Sequence, residues 1–206
     1  MRAKGIKPIL LSADQLNVLV IGYGKIGQRK ARAYRASGAK VIAVDPHTLP
    51  SISTSTLDVQ PQSLEDGVLY YQMTFESFFV LHENLFNLQH LVLICTNQPD
   101  VNQIVQEKCV QMAKLYNRTD YFEQSLFSDM LSLEDQHTLV AISGKGHSPY
   151  IIKYLRPLVQ NLIAQKNIQK RLEILNRVTP KLKFLGIPYE QIMHLDDDAL
   201  ERIGDE

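Results

Sequence analysis

Three glycines and one acid set the first chemical constraint in this sequence: Gly22-Tyr23-Gly24-Lys25-Ile26-Gly27, followed roughly 20 residues on by Asp45. An apolar run, Val18 to Ile21, leads into the glycines, and a second, Lys40 to Val44, ends on the acid. This is the layout of a dinucleotide-binding βαβ unit. Gly22 permits a tight turn out of the first strand. Gly24 lets the backbone approach a pyrophosphate, whose charge suits the free N–H groups at a helix start. Gly27 allows helix and sheet to pack closely. Tyr23, Lys25 and Ile26 complete the turn around the ligand. The Asp45 carboxylate can accept from a ribose hydroxyl and repels a 2′-phosphate, which favours NAD over NADP. The competing reading keeps the turn and has lost the ligand.

A second group stands at Thr96-Asn97-Gln98-Pro99-Asp100, just past the apolar run Leu91 to Cys95. Ligands of parallel sheets collect at the carboxyl ends of strands, so Thr96 and Asn97 are candidate cofactor contacts. Equally, this stretch could only form a turn and cap the next helix.

The elements that must position these groups describe an α/β fold with a Rossmann-type parallel sheet. A helix is predicted over about 25–37, closed by Gly38. Residues 46–63 read as a Ser/Thr/Pro-rich loop, Asp66-Gly67 as a turn, and Val68 to Tyr71 as a strand. A helical patch at about 75–87 precedes the buried strand 91–95, and a helix over 100–114 follows it. Tyr116 to Ser132 shows no sustained period, while His137 to Ser143 is a strand candidate. From Tyr150 the pattern is helical, with Pro157 inside it, and continues to Pro180; an acidic tail, Asp196 to Glu206, closes the chain. Three segments result: 1–115, 116–149 and a helical domain, 150–206.

Bulk properties narrow the class further. Lys and Arg number 22, as do Asp and Glu, so net charge predicts neither nucleic-acid nor membrane attraction. No signal peptide and no membrane span are expected. Cys95 and Cys109, the only cysteines, lack metal-ligand spacing and read as reduced core thiols of a cytoplasmic protein; no metal site is predicted.

The order of the pieces resembles the precorrin-2 dehydrogenases, a family that includes the sirohydrochlorin ferrochelatases and the N-terminal half of siroheme synthases. The resemblance rests on a short proline-led strand expected at Pro8-Ile-Leu-Leu11, the glycine turn with Arg29-Lys-Ala-Arg32, and Thr96-Asn-Gln-Pro-Asp-Val-Asn102. It continues through Asn117-Arg-Thr-Asp120 and Val140-Ala-Ile-Ser143 before Gly144-Lys-Gly-His-Ser-Pro149. It spans roughly residues 8–160.

The resemblance implies NAD-dependent oxidation of precorrin-2 to sirohydrochlorin, which in some members is followed by ferrous-iron insertion. It also implies a homodimer, with 116–149 as the dimerisation and active-site segment. The family's catalytic aspartate falls on Asp120, where a carboxylate would take the proton that accompanies hydride loss. Spacing alone would make Asp120 a solvated loop residue or a turn former. A tetrapyrrole substrate carries many carboxylates, so Lys145 and His147, with Ser143 and Ser148 as hydroxyl donors, are the substrate-binding candidates. The same loop could simply start a helix at Pro149. Arg118 and Arg156 are weaker candidates for binding substrate, and the reading preferred for each is a solvated surface charge. The sequence departs from the family at Tyr23, at Ile26, at Arg118-Thr119, at Tyr121-Phe122 after the aspartate, and at Lys145, which splits a glycine pair.

Two other classes compete. An NAD-sensing regulatory domain shares the strand, glycine turn, helix and acid, and has no catalytic aspartate. A short-chain or 2-hydroxy-acid dehydrogenase is disfavoured, because no Tyr-x-x-x-Lys pair is suitably placed and the chain is short for a separate substrate domain.

Overall fold

A computed structural model describes residues 5–47, 60–145 and 149–205. It divides into two compact units, Met1–Ser128 and Asp129–Glu206.

The first unit is built on a six-stranded sheet. Its strands are β1 (Asn17–Ile21), β2 (Lys40–Val44), β3 (Gln62–Ser63), β4 (Leu69–Tyr71), β5 (Leu91–Ile94) and β6 (Leu115–Arg118), in the order β3-β4-β2-β1-β5-β6. All neighbours are parallel except β3, which runs antiparallel to β4 at one edge. Parallel strands need covering on both faces. Side chains of β1 alternate accordingly: Leu19 and Ile21 enter one core cluster, Val18 and Val20 the other. Helix α1 (Lys25–Ala36) contributes Ala31 to the second cluster. The first cluster is closed by Phe75 and Phe78 of α2 (Phe75–Leu81), Phe86 of α3 (Glu83–Asn87), and Val105 and Cys109 of α4 (Pro99–Gln111). The order of the chain reverses between β1 and β5. Such a switch point opens a crevice at the carboxyl ends of those strands.

The second unit holds an antiparallel hairpin, β7 (Leu131–Glu134) with β8 (Leu139–Ile142), and four helices: α5 (Pro149–Ile163), α6 (Lys166–Phe184), α7 (Tyr189–Ile192) and α8 (Asp197–Asp205). Ile174, Val178 and Leu182 of α6 pack with Leu200 of α8 in a small separate core. Asp135 shapes the hairpin turn: its Oδ1 accepts from the backbone N–H groups of His137 and Thr138, both at 2.8 Å. Among the described residues no helix is long and apolar enough to cross a membrane.

Several expectations are corrected. Residues 5–11 form no strand, and Ile9 and Leu10 are exposed. The helical patch 75–87 is two helices, because His82 adopts φ −133° between them. Strand β6 extends the first unit past residue 115, and the break between units falls after Ser128. The final helix of the Pro180 region runs through that proline to Phe184. Within the Ser/Thr-rich loop, Gln62–Ser63 forms the edge strand β3, while 48–59 lie outside the described residues.

Candidate active site

The glycine turn has the geometry its spacing predicts. Gly22 sits at φ +89°, a conformation that L side chains rarely adopt. A Cβ there would lie 2.7 Å from the Thr96 nitrogen and 2.8 Å from the Cys95 carbonyl carbon. The turn after β1 and the exit of β5 therefore touch backbone to backbone. At Gly27 a Cβ would fall 2.0 Å from the Gly22 carbonyl oxygen, which is the close approach of α1 to the sheet. Gly24 differs. It precedes α1 in extended conformation, and a Cβ on it would meet nothing within 4 Å. The N-cap Gly24 brings no side chain to this helix start, and the N–H groups of Lys25, Ile26 and Gly27 have no partner within the helix, whose positive end they form.

Asp45 closes the other side. Its Oδ2 accepts from the Tyr23 N–H at 2.6 Å, and its Oδ1 from the His47 N–H at 2.9 Å and the His47 ring at 2.8 Å. A carboxylate offers about four acceptor positions, and bonds among the described residues take three of them on Asp45. The Tyr70 hydroxyl lies against the carbonyls of Asp45 and His47 and fixes the end of β2. Tyr23 is buried with its ring 5.5 Å from that of Tyr70. Burial pushes the Tyr23 phenol up to about 12, with the Asp66 charge adding to it, so the ring stays neutral.

A polar network extends from the same strand ends. Thr96 hydrogen-bonds through its hydroxyl to the Asn102 amide oxygen, and its carbonyl accepts from Asn102 Nδ2 at 3.1 Å. That nitrogen also donates to Asp120 Oδ2 at 3.0 Å. Asn102 is fully buried on α4. Asp120 follows β6 and is gripped on two points by Arg118: Nη2 to Oδ2 at 2.7 Å and Nε to Oδ1 at 3.0 Å. The Arg118 guanidinium holds the Asp120 carboxyl below the usual carboxylate range; burial opposes it less strongly, and the Asn102 bond, a smaller effect again, adds to the lowering. Asn97 is exposed beside Thr96.

Arg118 overturns the expectation of a solvated charge. It is only 7% exposed. Its Nη1 points at three amide oxygens, those of Gln103 (3.1 Å), Gln106 (2.8 Å) and Gln124 (2.9 Å). With these and Asp120, its fork is committed inside the protein. A depression of about 350 Å³ opens over the pair, lined by Pro99, Gln103, Arg118, Asp120, Tyr121 and Gln124.

Comparison with known proteins places these features. Residues 9–128 match the family profile NAD_binding_7, described as "Putative NAD(P)-binding". The chain belongs to this family. The NAD(P)-binding match covers the glycine turn, Asp45, Thr96 and Asp120 together. Curated relatives include a siroheme synthase of Xylella fastidiosa (strain M12), 29% identical over 79% of this chain. Siroheme synthase 2 of Aeromonas salmonicida (strain A449) is 25% identical over 85%. The chain spans about a third of the length of these relatives. A solved structure titled "SirC, precorrin-2 dehydrogenase" superposes with TM-score 0.63 at 16% identity, covering 98% of this chain and 100% of that one, so the two share a fold.

The NAD(P)-binding unit thus brings together Gly22, Tyr23, Gly24, Lys25, Ile26, Gly27, Asp45 and Thr96, and links Thr96 to Asp120. The open space over Gly24, the N–H groups at the start of α1 and, among the described residues, an acceptor position left on Asp45 fit a dinucleotide. Ser143 and Lys145 belong to the second unit; the Lys145 N–H donates to the Ser143 hydroxyl at 3.1 Å, and Lys145 sits at φ +52°. His147 and Ser148 lie outside the described residues. Sequence reasoning named Arg118 only as a weak candidate for substrate and missed its burial, its pairing with Asp120 and the part played by Asn102. One signal was available for Arg118: Gln103 and Gln106 stand three apart, on one face of the predicted helix.

Proposed function

We propose that this chain oxidises precorrin-2 to sirohydrochlorin, with NAD as the oxidant. The overall reaction is balanced: precorrin-2 and NAD⁺ give sirohydrochlorin, NADH and one proton. NAD supplies the hydride acceptor when bound. The chain's own residues do the rest. The helix start above Gly24 holds the pyrophosphate, and Asp45 receives the adenosine ribose and disfavours a 2′-phosphate. Asp120 accepts the proton lost alongside the hydride and passes it to solvent, to which its side chain is 32% exposed.

The observation that carries this reading is the hydrogen-bonded path Thr96–Asn102–Asp120. It ties a carboxylate to the strand end that borders the dinucleotide turn. The names of the relatives agree with it. Ser143, Lys145, His147 and Ser148 are proposed to meet the substrate carboxylates, and two copies of the chain to form the working unit. The exposed stripe Tyr154, Leu158 and Leu162 on α5 supports pairing. Sedimentation of the purified protein tests that part, and a fully active monomer would remove it.

The test of function is direct. Purified protein with NAD should convert precorrin-2 to sirohydrochlorin, read from the absorption change. Asp120→Asn should bind NAD with wild-type affinity and lose most turnover. NAD binding without turnover in the wild type would favour a nucleotide-sensing role. Supplying ferrous ion with sirohydrochlorin tests metal insertion separately.

A further inference from the structure

Arg118 is the one described cation that is nearly buried, and nothing in the proposed reaction yet uses it. Resting on the reading that Asp120 serves the reaction, we propose that Arg118 is a positioning residue. It holds the Asp120 carboxylate in a fixed, ionised orientation, and is itself held by a collar of three glutamines.

The argument starts from geometry. A guanidinium has five N–H donors in a rigid plane. Here Nε and Nη2 meet the two oxygens of Asp120, so rotation of the carboxylate about its own axis would break both contacts. Asn102, anchored to Thr96, adds a third contact on Oδ2 from another direction. The Asp120 side chain still reaches solvent. The orientation is therefore set by two elements, β6 and α4. On the far side of the fork, Gln103 and Gln106 on α4 and Gln124 beyond β6 supply acceptors to Nη1. They satisfy its hydrogens without a second negative charge. With its donors committed to Asp120 and the three glutamines, Arg118 is not available to bind a substrate carboxylate, and Asp120 is the carboxylate it grips.

A lysine cannot reproduce this. It carries the charge as a point and lacks the planar fork. A methionine of similar length removes both. Loss of the fork frees the carboxylate to rotate and leaves it more basic. The proton released by the substrate would still have a base to meet, but in the wrong place. A misplaced catalytic group lowers turnover on the order of tenfold to a hundredfold.

The experiment follows the Asp120 carboxyl carbon by NMR through an acid titration, in wild type, Arg118→Met and Arg118→Lys. The pH profile of kcat/KM for precorrin-2 is measured alongside. The titration midpoint should rise in Arg118→Met and rise less in Arg118→Lys. The acidic limb of kcat/KM should move up in pH by the same amount, with KM for NAD unchanged. Equal midpoints in wild type and Arg118→Met would overturn the proposal. Should Arg118→Met fail to fold, the Lys variant decides alone: an unmoved midpoint there overturns it. Absence of turnover in the wild type would sink the proposed function while leaving the titration readable, so the two failures are distinct.

Discussion

Alanine at two neighbouring glycines separates the fold from the ligand. Gly27→Ala places a methyl 2.0 Å from the Gly22 carbonyl oxygen, where ordinary contact begins near 3.4 Å, so the start of α1 must lift by about 1.4 Å. Overpacking against side chains costs about 1–3 kcal/mol. The obstacle here is backbone, so the upper value, about 3 kcal/mol, applies. For a chain of this size that lowers the melting temperature by about 10 °C. NAD affinity falls too, because the helix N–H groups move with α1. Gly24→Ala is the opposite case. Its φ of −70° and ψ of −169° suit any L residue, and the methyl meets nothing within 4 Å. The folded protein should be as stable as wild type, or more stable by about 0.4–1 kcal/mol. The methyl does stand where the pyrophosphate would approach. Loss of one charge-assisted hydrogen bond, about 2 kcal/mol, weakens NAD binding roughly 30-fold. Calorimetric titration with NAD and thermal melts of both variants test the pair. Wild-type NAD affinity in Gly24→Ala would refute the placement of the dinucleotide. An unchanged melting temperature in Gly27→Ala would refute the helix–strand contact.

Three further outcomes are expected. Asp45→Asn removes the charge facing a 2′-phosphate while retaining an acceptor for the Tyr23 N–H, so the preference for NAD over NADP should fall by about tenfold in competitive titration. The Arg118–Asp120 pair stabilises the fold above the unfolded aspartate pKa of about 3.9. Because the folded value is depressed, the contribution disappears as pH falls through it. A double-mutant cycle by urea unfolding should give constant coupling from about pH 8 to 5 and a shrinking one below about pH 4; coupling that grew in acid would contradict the sign. Burial pushes the Cys109 thiol up to about 12, so it should resist alkylation in the folded protein and react on unfolding. Rapid labelling under native conditions would show that α4 does not seal it.

What could be read from residue types was the part written in glycines and apolar runs. Val18 to Ile21, the glycine turn, Asp45 and Leu91 to Ile94 carry their environment in their chemistry: a strand buried on both faces has no polar side to show. Strand β6 was not legible. Leu115-Tyr-Asn-Arg118 holds two polar residues that are buried because each finds partners from afar. Asn117 donates to the Phe127 carbonyl at 3.0 Å, and the Arg118 N–H donates to the Ser125 hydroxyl at 2.8 Å. Hydrophobic periodicity registers transfer out of water and cannot register polar burial repaid by hydrogen bonds. For the same reason Asp120 alone looked like a loop residue, while its grip by Arg118 and Asn102 depends on β6 and α4 lying side by side. Pro8 to Leu11 failed in the other direction: four residues with strand character found no neighbouring strand to pair with.

The central claim is that a dinucleotide lying over Gly24 takes hydride from a tetrapyrrole beside Asp120. Mixing the purified protein with NAD and precorrin-2, and following NADH and sirohydrochlorin in the same absorption trace, tests it most directly. The two should appear one for one in the wild type, and both should form far more slowly in Asp120→Asn. Bound NAD with precorrin-2 unchanged would contradict it.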